Sequence, residues 1–231
     1  MLRPIVLAAA LSLVPSATLA AERSYSVTGF DRIRVEGPYA VTLSVGRAPS
    51  ARASGSPQAL DAVRIEVQGR TLVVRQNRTS GMGTSSGSLG PVTIALSTHD
   101  LTAGWLSGAG TLEIDRLKGL SPSLEVTGSG AIQVGDVSAD KLTVGITGAG
   151  SAKLSGKAKT VTAIVRGASR LDAEALTAKD AIIAVQGPSS VSMAVTNAAD
   201  LSASGTGQIN LSGNPACKQR VTGSVQVSGC R

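Results

Sequence analysis

Leu124-Glu125-Val126-Thr127-Gly128-Ser129-Gly130-Ala131-Ile132-Gln133-Val134 is answered twenty residues on by Val144-Gly145-Ile146-Thr147-Gly148-Ala149-Gly150-Ser151-Ala152-Lys153-Leu154. In both stretches apolar residues alternate with polar or small ones up to a Gly-x-Gly, and the alternation resumes beyond it. A period of two marks strands with one buried face. The small-residue motif recurs as Ser107-Gly108-Ala109-Gly110 and Ser204-Gly205-Thr206-Gly207, with weaker copies at Arg166-Gly167-Ala168-Ser169, Gln186-Gly187-Pro188-Ser189 and Thr222-Gly223-Ser224-Val225. The first glycines fall at 108, 128, 148, 167, 187, 205 and 223, a spacing of 18 to 20 residues.

With that glycine as zero, position +4 reads Leu112, Ile132, Ala152, Leu171, Val191, Ile209 and Val227. Position +6 reads Ile114, Val134, Leu154, Ala173, Met193, Leu211 and Gly229, while +5 between them is polar in every copy: Glu113, Gln133, Lys153, Asp172, Ser192, Asn210 and Ser228. Upstream, −2 is Leu106, Val126, Ile146, Val165, Val185, Ala203 and Val221, and −4 includes Leu124, Val144, Ala163, Ile183 and Leu201. A second strand therefore precedes each glycine turn. Position +9 offers an inward corner residue at Leu117, Val137 and Leu176 that Lys157, Thr196 and Asn214 do not match.

A unit this short cannot bury its own apolar face, so successive units must stack, each strand pairing with its counterpart one coil on. The expected fold is all-β: a single-stranded parallel β-helix, or β-solenoid, with coils of 18 to 20 residues. The LxxLxLxxN signature of leucine-rich repeats is absent, and a propeller blade needs about 40 residues. An Ig-like sandwich gives short strands but no columns in fixed register. The glycines are read as turn residues, because stacked corners leave little room for Cβ atoms. Phosphate cradling by such a loop calls for a following helix N-terminus, and no helical spacing follows here.

Residues 1–20 read as a signal peptide: Arg3 precedes an apolar run from Ile5 to Val14, and small residues surround Ala20. That run is short of the ~20 apolar residues of a membrane span. No Cys follows it to carry a lipoprotein anchor, so the mature chain, residues 21–231, is expected to be one exported soluble domain, periplasmic or extracellular. The only cysteines, Cys217 and Cys230, are expected to pair as a disulfide closing the end of the solenoid over residues 217–231. Residues 77–90, NRTSGMGTSSGSLG, read as a flexible Gly/Ser loop.

The sequence is poor in chemistry. Its single histidine, His99, precedes Asp100, but neighbours on a strand point to opposite faces, so it reads as a surface or turn residue. One histidine and no CxxC pair argue against a metal site, and no cofactor is expected. Asp140, Asp180 and Asp200 stand eight, seven and five residues before their glycines, near one corner but out of register, and no column supplies the paired carboxylates of a glycosidase. Four aromatics, Tyr25, Phe30, Tyr39 and Trp105, are too few for the stacking platforms of a nucleic-acid binder. Trp105, at −3, is expected to project outward.

Removal of Arg3 leaves twenty-one Lys and Arg against fifteen Asp and Glu, a net of +6. Lys153, Lys157, Lys159, Arg166 and Arg170 fall on coils expected to be neighbours and form the candidate anion-binding patch for a cell-surface or extracellular polymer. Asp172, at Lys153's position one coil on, offsets it in part.

The N-terminal segment carries a second pattern: Phe30-Asp31-Arg32-Ile33-Arg34-Val35-Glu36-Gly37-Pro38-Tyr39-Ala40-Val41-Thr42-Leu43, then Gly55, Leu60-Asp61-Ala62-Val63 and Gly69-Arg70-Thr71-Leu72-Val73-Val74. An opening aromatic, an IxVxGxxxVxL strand pair, an LDxV turn and a GxTLxV strand, followed by SGxG repeats, resemble the head GIN domain family, labelled "putative autotransporter adhesin", over roughly residues 29–229. The resemblance implies a right-handed parallel β-helix outside the cytoplasm and brings no catalytic residues. The chain lacks the alternating ~10-residue segments and aromatic girdles of an outer-membrane barrel, so it is not expected to secrete itself. The function expected is a non-enzymatic, adhesin-like surface or matrix-binding module. The alternatives are a polysaccharide-acting enzyme on a β-helix scaffold and a purely structural periplasmic protein.

Overall fold

The computed structural model describes residues 21–77 and 90–231, and within them the chain is almost wholly strand. The signal peptide expected over 1–20 and residues 78–89 of the expected loop lie outside the described residues. The elements run β1 (Ala21–Tyr25), β2 (Arg32–Glu36), β3 (Ala40–Val45), β4 (Ser50–Gly55), α1 (Pro57–Asp61), β5 (Val63–Gln68), β6 (Thr71–Gln76), β7 (Thr93–Thr98), β8 (Ala103–Gly108) and β9 (Thr111–Gly119). They continue with β10 (Ser123–Gly128), β11 (Ala131–Gly148), β12 (Ser151–Gly167), β13 (Arg170–Gln186), β14 (Ser190–Gly205), β15 (Gln208–Ser212), β16 (Ala216–Gly223) and β17 (Gln226–Ser228). This is the expected β-solenoid. Each of β11 to β14 is most of a coil, running from one glycine turn to the next, and each pairs in parallel with its neighbour.

The columns sit as the alternation dictates. Around Gly167 the inward residues Val161, Ala163, Val165, Leu171, Ala173 and Leu176 are buried, whereas Lys153 and Glu113 in the +5 column are exposed and Asp172 is half-buried. The two walls of the solenoid are the strand before each glycine turn and the strand after it. At the corner, Gly156 rather than Lys157 lies beside Val137 and Leu176, because the ladder shifts between Val134 and Val137 to absorb a coil one residue shorter. At Thr196 the shorter coil brings Val195 beside Ala178 instead.

The fourth residue of the motif, at +2, also faces inward: Gly110, Gly130, Gly150, Ser169, Ser189 and Gly207 are buried. A Cβ on Gly130 would lie 2.7 Å from the Gly110 carbonyl oxygen, a distance side chains do not adopt. Turns stack through their backbones, as in Ser129 N donating to Gly108 O at 3.0 Å and Ala131 N donating to Gly110 O at 3.0 Å. Where serine takes the place of glycine, its hydroxyl donates to the turn carbonyl one coil back: Ser169 Oγ to Gly148 O at 3.0 Å and Ser189 Oγ to Gly167 O at 2.6 Å. In the second case Pro188 has no amide hydrogen, so the Ser189 hydroxyl stands in for the missing donor.

At the N-terminal end the stacking order departs from the chain order. β2 lies between β6 and β8, and β3 between β7 and β9, so the coil that comes first in the chain is second in the stack. Asp31 pins it: its carboxylate meets Arg70 of the β5–β6 turn at 2.6 Å, and its carbonyl accepts Thr102 N at 2.7 Å on the other side. Beyond the β6–β7 coil the walls end in antiparallel strands, β5 on β6 and then β4 on β7 with β1 outside it. The expected LDxV turn is the end of α1, which Ser56 caps by accepting Ala59 N at 3.1 Å and which buries Ala59 and Leu60 in the core. Glu66 on β5 accepts from Arg64, Gln68 and Arg75, which holds its carboxyl below its ordinary value. At the other end Cys217 and Cys230 are disulfide-bonded with Cα atoms 5.6 Å apart, and Arg231 N donates to Pro215 O at 3.1 Å. The bridge ties the start of β16 to the residues past β17 across the open end of the last coil.

Two outcomes follow from this packing. Leu171→Ala is expected to lose ~2–5 kcal/mol of unfolding free energy in a denaturant titration, and Asp172→Ala little, because only the first leaves a core cavity. Ser189→Ala is expected to cost roughly 1–3 kcal/mol and more than Ser169→Ala, since Ala168 retains an amide that can turn to the vacated carbonyl and Pro188 does not. Equal losses for the two serines would contradict the stand-in role.

Candidate functional site

The five cations of the candidate patch occupy three parts of the surface. Lys153 and Arg170 stand on the wall after the glycine turn, in the +5 and +3 columns, and Arg166 stands on the opposite wall, donating to Gln186 Oε1 at 3.3 Å. Lys157 and Lys159 are at the corner, where Lys159 Nζ lies 2.8 Å from Asp140 Oδ1. Lys179 joins them around a depression of about 310 Å³ that Asp140 also lines. The corner is thus the densest cationic place of the set. Lys179 escaped sequence reading because its coil position depends on the register shifts described above. Arg170 borders a separate shallow trough of about 490 Å³ with Ser190, Gln208 and Gln226, the +3 residues of the next three coils.

The remaining candidates stay apart. His99 is exposed just past β7, and its carbonyl accepts Gly46 N at 3.1 Å. Asp180 accepts Asn197 Nδ2 at 2.6 Å, and Asp200 lies beside Ile182 in an outward column of the first wall. Among the described residues no group of three or more His, Cys, Asp or Glu side chains could hold a metal ion.

The outward face of the wall before the glycine turn has a different character. Three columns cross it. At −1 stand Ser107, Thr127, Thr147 and Arg166, and at −5 Ser123, Thr143 and Thr162. The middle column, at −3, runs Trp105, Glu125, Gly145, Ile164. Because β2 is inserted beside β8, the columns continue past the repeats: Arg34 lies next to Trp105 and Glu36 next to Ser107. The Arg34 guanidinium stands 5.6 Å from the centre of the indole, within cation–π range, and 4.0 Å from the Glu36 carboxylate.

Trp105 is half-buried and divides two depressions. One, about 200 Å³, is lined by Arg34, Glu36, Trp105, Ser107, Glu125 and Thr127. The other, about 240 Å³, lies over Gly145 between Trp105 and Glu125 on one side and Ile164 and Arg166 on the other, with Ser123, Thr143 and Thr147 along it. An aromatic face, two carboxylates, two guanidinium groups and a set of hydroxyls meet here within a few coils. Sequence reading found Trp105 and Arg166 singly; it missed Arg34 and Glu36, since nothing in the repeats says that β2 slots in beside β8, and passed over Glu125, which the repeat spacing sets beside Trp105.

A family model described as "Putative auto-transporter adhesin, head GIN domain" matches residues 29–215. No curated protein matches the sequence. Among solved structures, a "putative adhesin" from Bacteroides fragilis NCTC 9343 superposes with a TM-score of 0.77 at 19% identity, covering 91% of this chain and 96% of its own. A "putative lipid binding protein" from Parabacteroides distasonis ATCC 8503 gives 0.70 at 18% identity, covering 91% and 97%. A "putative adhesin" from Parabacteroides merdae ATCC 43184 gives 0.68 at 17% identity, covering 91% and 95%. At such identities the likeness is one of fold.

Trp105 is the chain's single tryptophan, so its fluorescence reports this site alone. Arg34→Ala is expected to raise acrylamide quenching of that emission while lowering unfolding free energy by only about 0.5–1 kcal/mol, the worth of an exposed cation–π contact. Unchanged quenching would mean that Arg34 does not hold the indole.

Proposed function

This chain belongs to the head GIN domain family of "putative auto-transporter adhesin" proteins, and from that premise we propose that it is an exported, non-enzymatic module that binds a component of a cell surface or extracellular matrix. The observation that carries the proposal is the outward face around Trp105, a broad area of short polar side chains broken at one place by an aromatic and charged furrow. A rigid wall of this kind presents its side chains without the ordering cost a mobile loop pays.

Binding is favoured over hydrolysis by the placement of the acids. Glu36 is engaged with Arg34, and it stands in a different column from Glu125, with β8 between their strands. Neighbouring strands are ~4.8 Å apart, so the two acids do not stand opposite one another, and Arg34 occupies the Glu36 carboxylate that a catalytic pair would need. The basic surface adds long-range attraction for anionic polymer through Lys153, Lys157, Lys159, Arg166 and Arg170, joined at the corner by Lys179.

The full mature chain, labelled and incubated with washed bacterial cells and with immobilised polysaccharides, is expected to be retained without releasing reducing ends; sugar release would overturn the non-enzymatic assignment. Raising NaCl from ~0.1 M to ~1 M, which shortens the screening length from about 10 Å to about 3 Å, is expected to weaken retention on anionic polymer several-fold. Glutamate at the five cationic positions is expected to do the same. Retention indifferent to both would remove the cations from the binding surface.

A further inference from the structure

Gly145 is unlike the turn glycines. It lies in mid-strand with an ordinary strand backbone, and a Cβ built on it would meet only the Glu125 side chain, at 3.6 Å. Neither backbone conformation nor crowding calls for glycine there; glycine inside a strand weakens it, and often marks a place where a ligand or another backbone approaches closely. Its effect is to leave a gap in the −3 column, and that gap is the floor of the 240 Å³ depression.

The groups around the gap select for one kind of ligand. The indole of Trp105, backed by Arg34, forms one end, and Ile164 lies three coil spacings away, ~14 Å between backbones. Glu125 and Arg166 supply a carboxylate acceptor and a planar, multiply donating guanidinium, and Ser123, Thr143 and Thr147 add hydroxyls. The one negative and one positive group cancel, so an ion gains no net attraction, whereas an uncharged polyol can donate to the first and accept from the second. An acyl chain finds Trp105 and Ile164 separated by charge. A nucleic-acid strand finds one ring and, in the lining of either depression, no further aromatic to stack its next base.

We propose that the depression over Gly145 is a saccharide subsite, which seats one uncharged pyranose ring of a glycan with its C–H face on Trp105 and its hydroxyls on Glu125 and Arg166. The smaller depression beyond Trp105, with Arg34 and Glu36, takes the adjoining sugar. This rests on the surface-binding function above and names the ligand class of the same face.

The test uses the full mature chain on immobilised neutral oligosaccharides of the cello, malto, manno, xylo and N-acetylglucosamine series, followed by calorimetry in solution with the best binder. At least one series is expected to bind, and to protect Trp105 from acrylamide. Gly145→Leu, which fills the gap from an open outward position, and Trp105→Ala are each expected to weaken binding at least tenfold. Ala184→Leu, which adds the same side chain in the same column two coils from Gly145 and outside the depression, is expected to bind as the parent does. Circular dichroism and thermal melting identify any variant that fails to fold, in which case Gly145→Val and Trp105→Leu replace it. If the parent binds cells but no neutral glycan, or if glycan binding survives Gly145→Leu and Trp105→Ala alike, the subsite is overturned and the surface-binding function stands. If it binds neither cells nor glycans, both fall.

Discussion

The structure depends on how closely one glycine turn can lie upon the next. Each turn donates amide hydrogens to carbonyls of the turn before it, Ala149 N to Gly128 O at 2.9 Å and Ser151 N to Gly130 O at 3.0 Å being one step of the ladder. These bonds set the coil spacing, and with it the register of every column on both walls. A Cβ at Gly150 would meet the Val126 side chain at 2.6 Å and the Gly130 carbonyl oxygen at 3.0 Å, so the inward turn position admits almost nothing. Serine takes the position at Ser169 and Ser189, where its hydroxyl donates to a carbonyl of the turn below. The motif Gly-x-Gly/Ser is thus a condition for stacking, with no ligand needed to explain it.

Regular stacking leaves the two ends as the problem, since an open end bares core side chains and unpaired strand edges. The N-terminal end is closed by antiparallel strands and by α1, which brings Leu60 into the core. The C-terminal end is closed more sparsely. Val221, at an inward position, is 40% exposed, and the Cys217–Cys230 bridge ties the last coil together where burial contributes little. Closing a loop of this length is worth ~3 kcal/mol in the chain-entropy model, enough to matter for a coil with so little core.

The insertion of the β2–β3 coil between β6–β7 and β8–β9 links fold to function. It carries Arg34 and Glu36 across some seventy residues of chain to the side of Trp105. Without it Trp105 would stand at the first coil of the repeats with β6 as its neighbour. With it the indole has a cation behind it, a carboxylate beside it and the Gly145 gap on its far side. The same insertion completes the core, because Ile33, Val35, Val41 and Leu43 enter the buried columns between two coils that follow one another in the chain.

Much of this was legible in the sequence, because a solenoid repeats one local decision. Alternation of period two fixed which side chains face inward at +4 and +6, and the spacing of the turn glycines fixed the coil length, both being short-range properties of the chain. The outward course of Trp105, the disulfide of Cys217 with Cys230 and the family pattern from Phe30 to Val74 were likewise readable. What only the tertiary structure decided involves separations no local rule spans. The first coil takes second place in the stack through its ladders to β6–β7 on one side and β8–β9 on the other, with Asp31 meeting Arg70 and Thr102 at the junction. Register shifts at the corners moved Gly156 to where Lys157 was expected, and the path of the coil set the five cations, at five different positions relative to their glycines, on three parts of the surface. Residues 105, 125, 145 and 164 share the −3 column through the repeat itself, but the furrow is completed only by Arg34 and Glu36, which the insertion of β2 beside β8 brings from far along the chain.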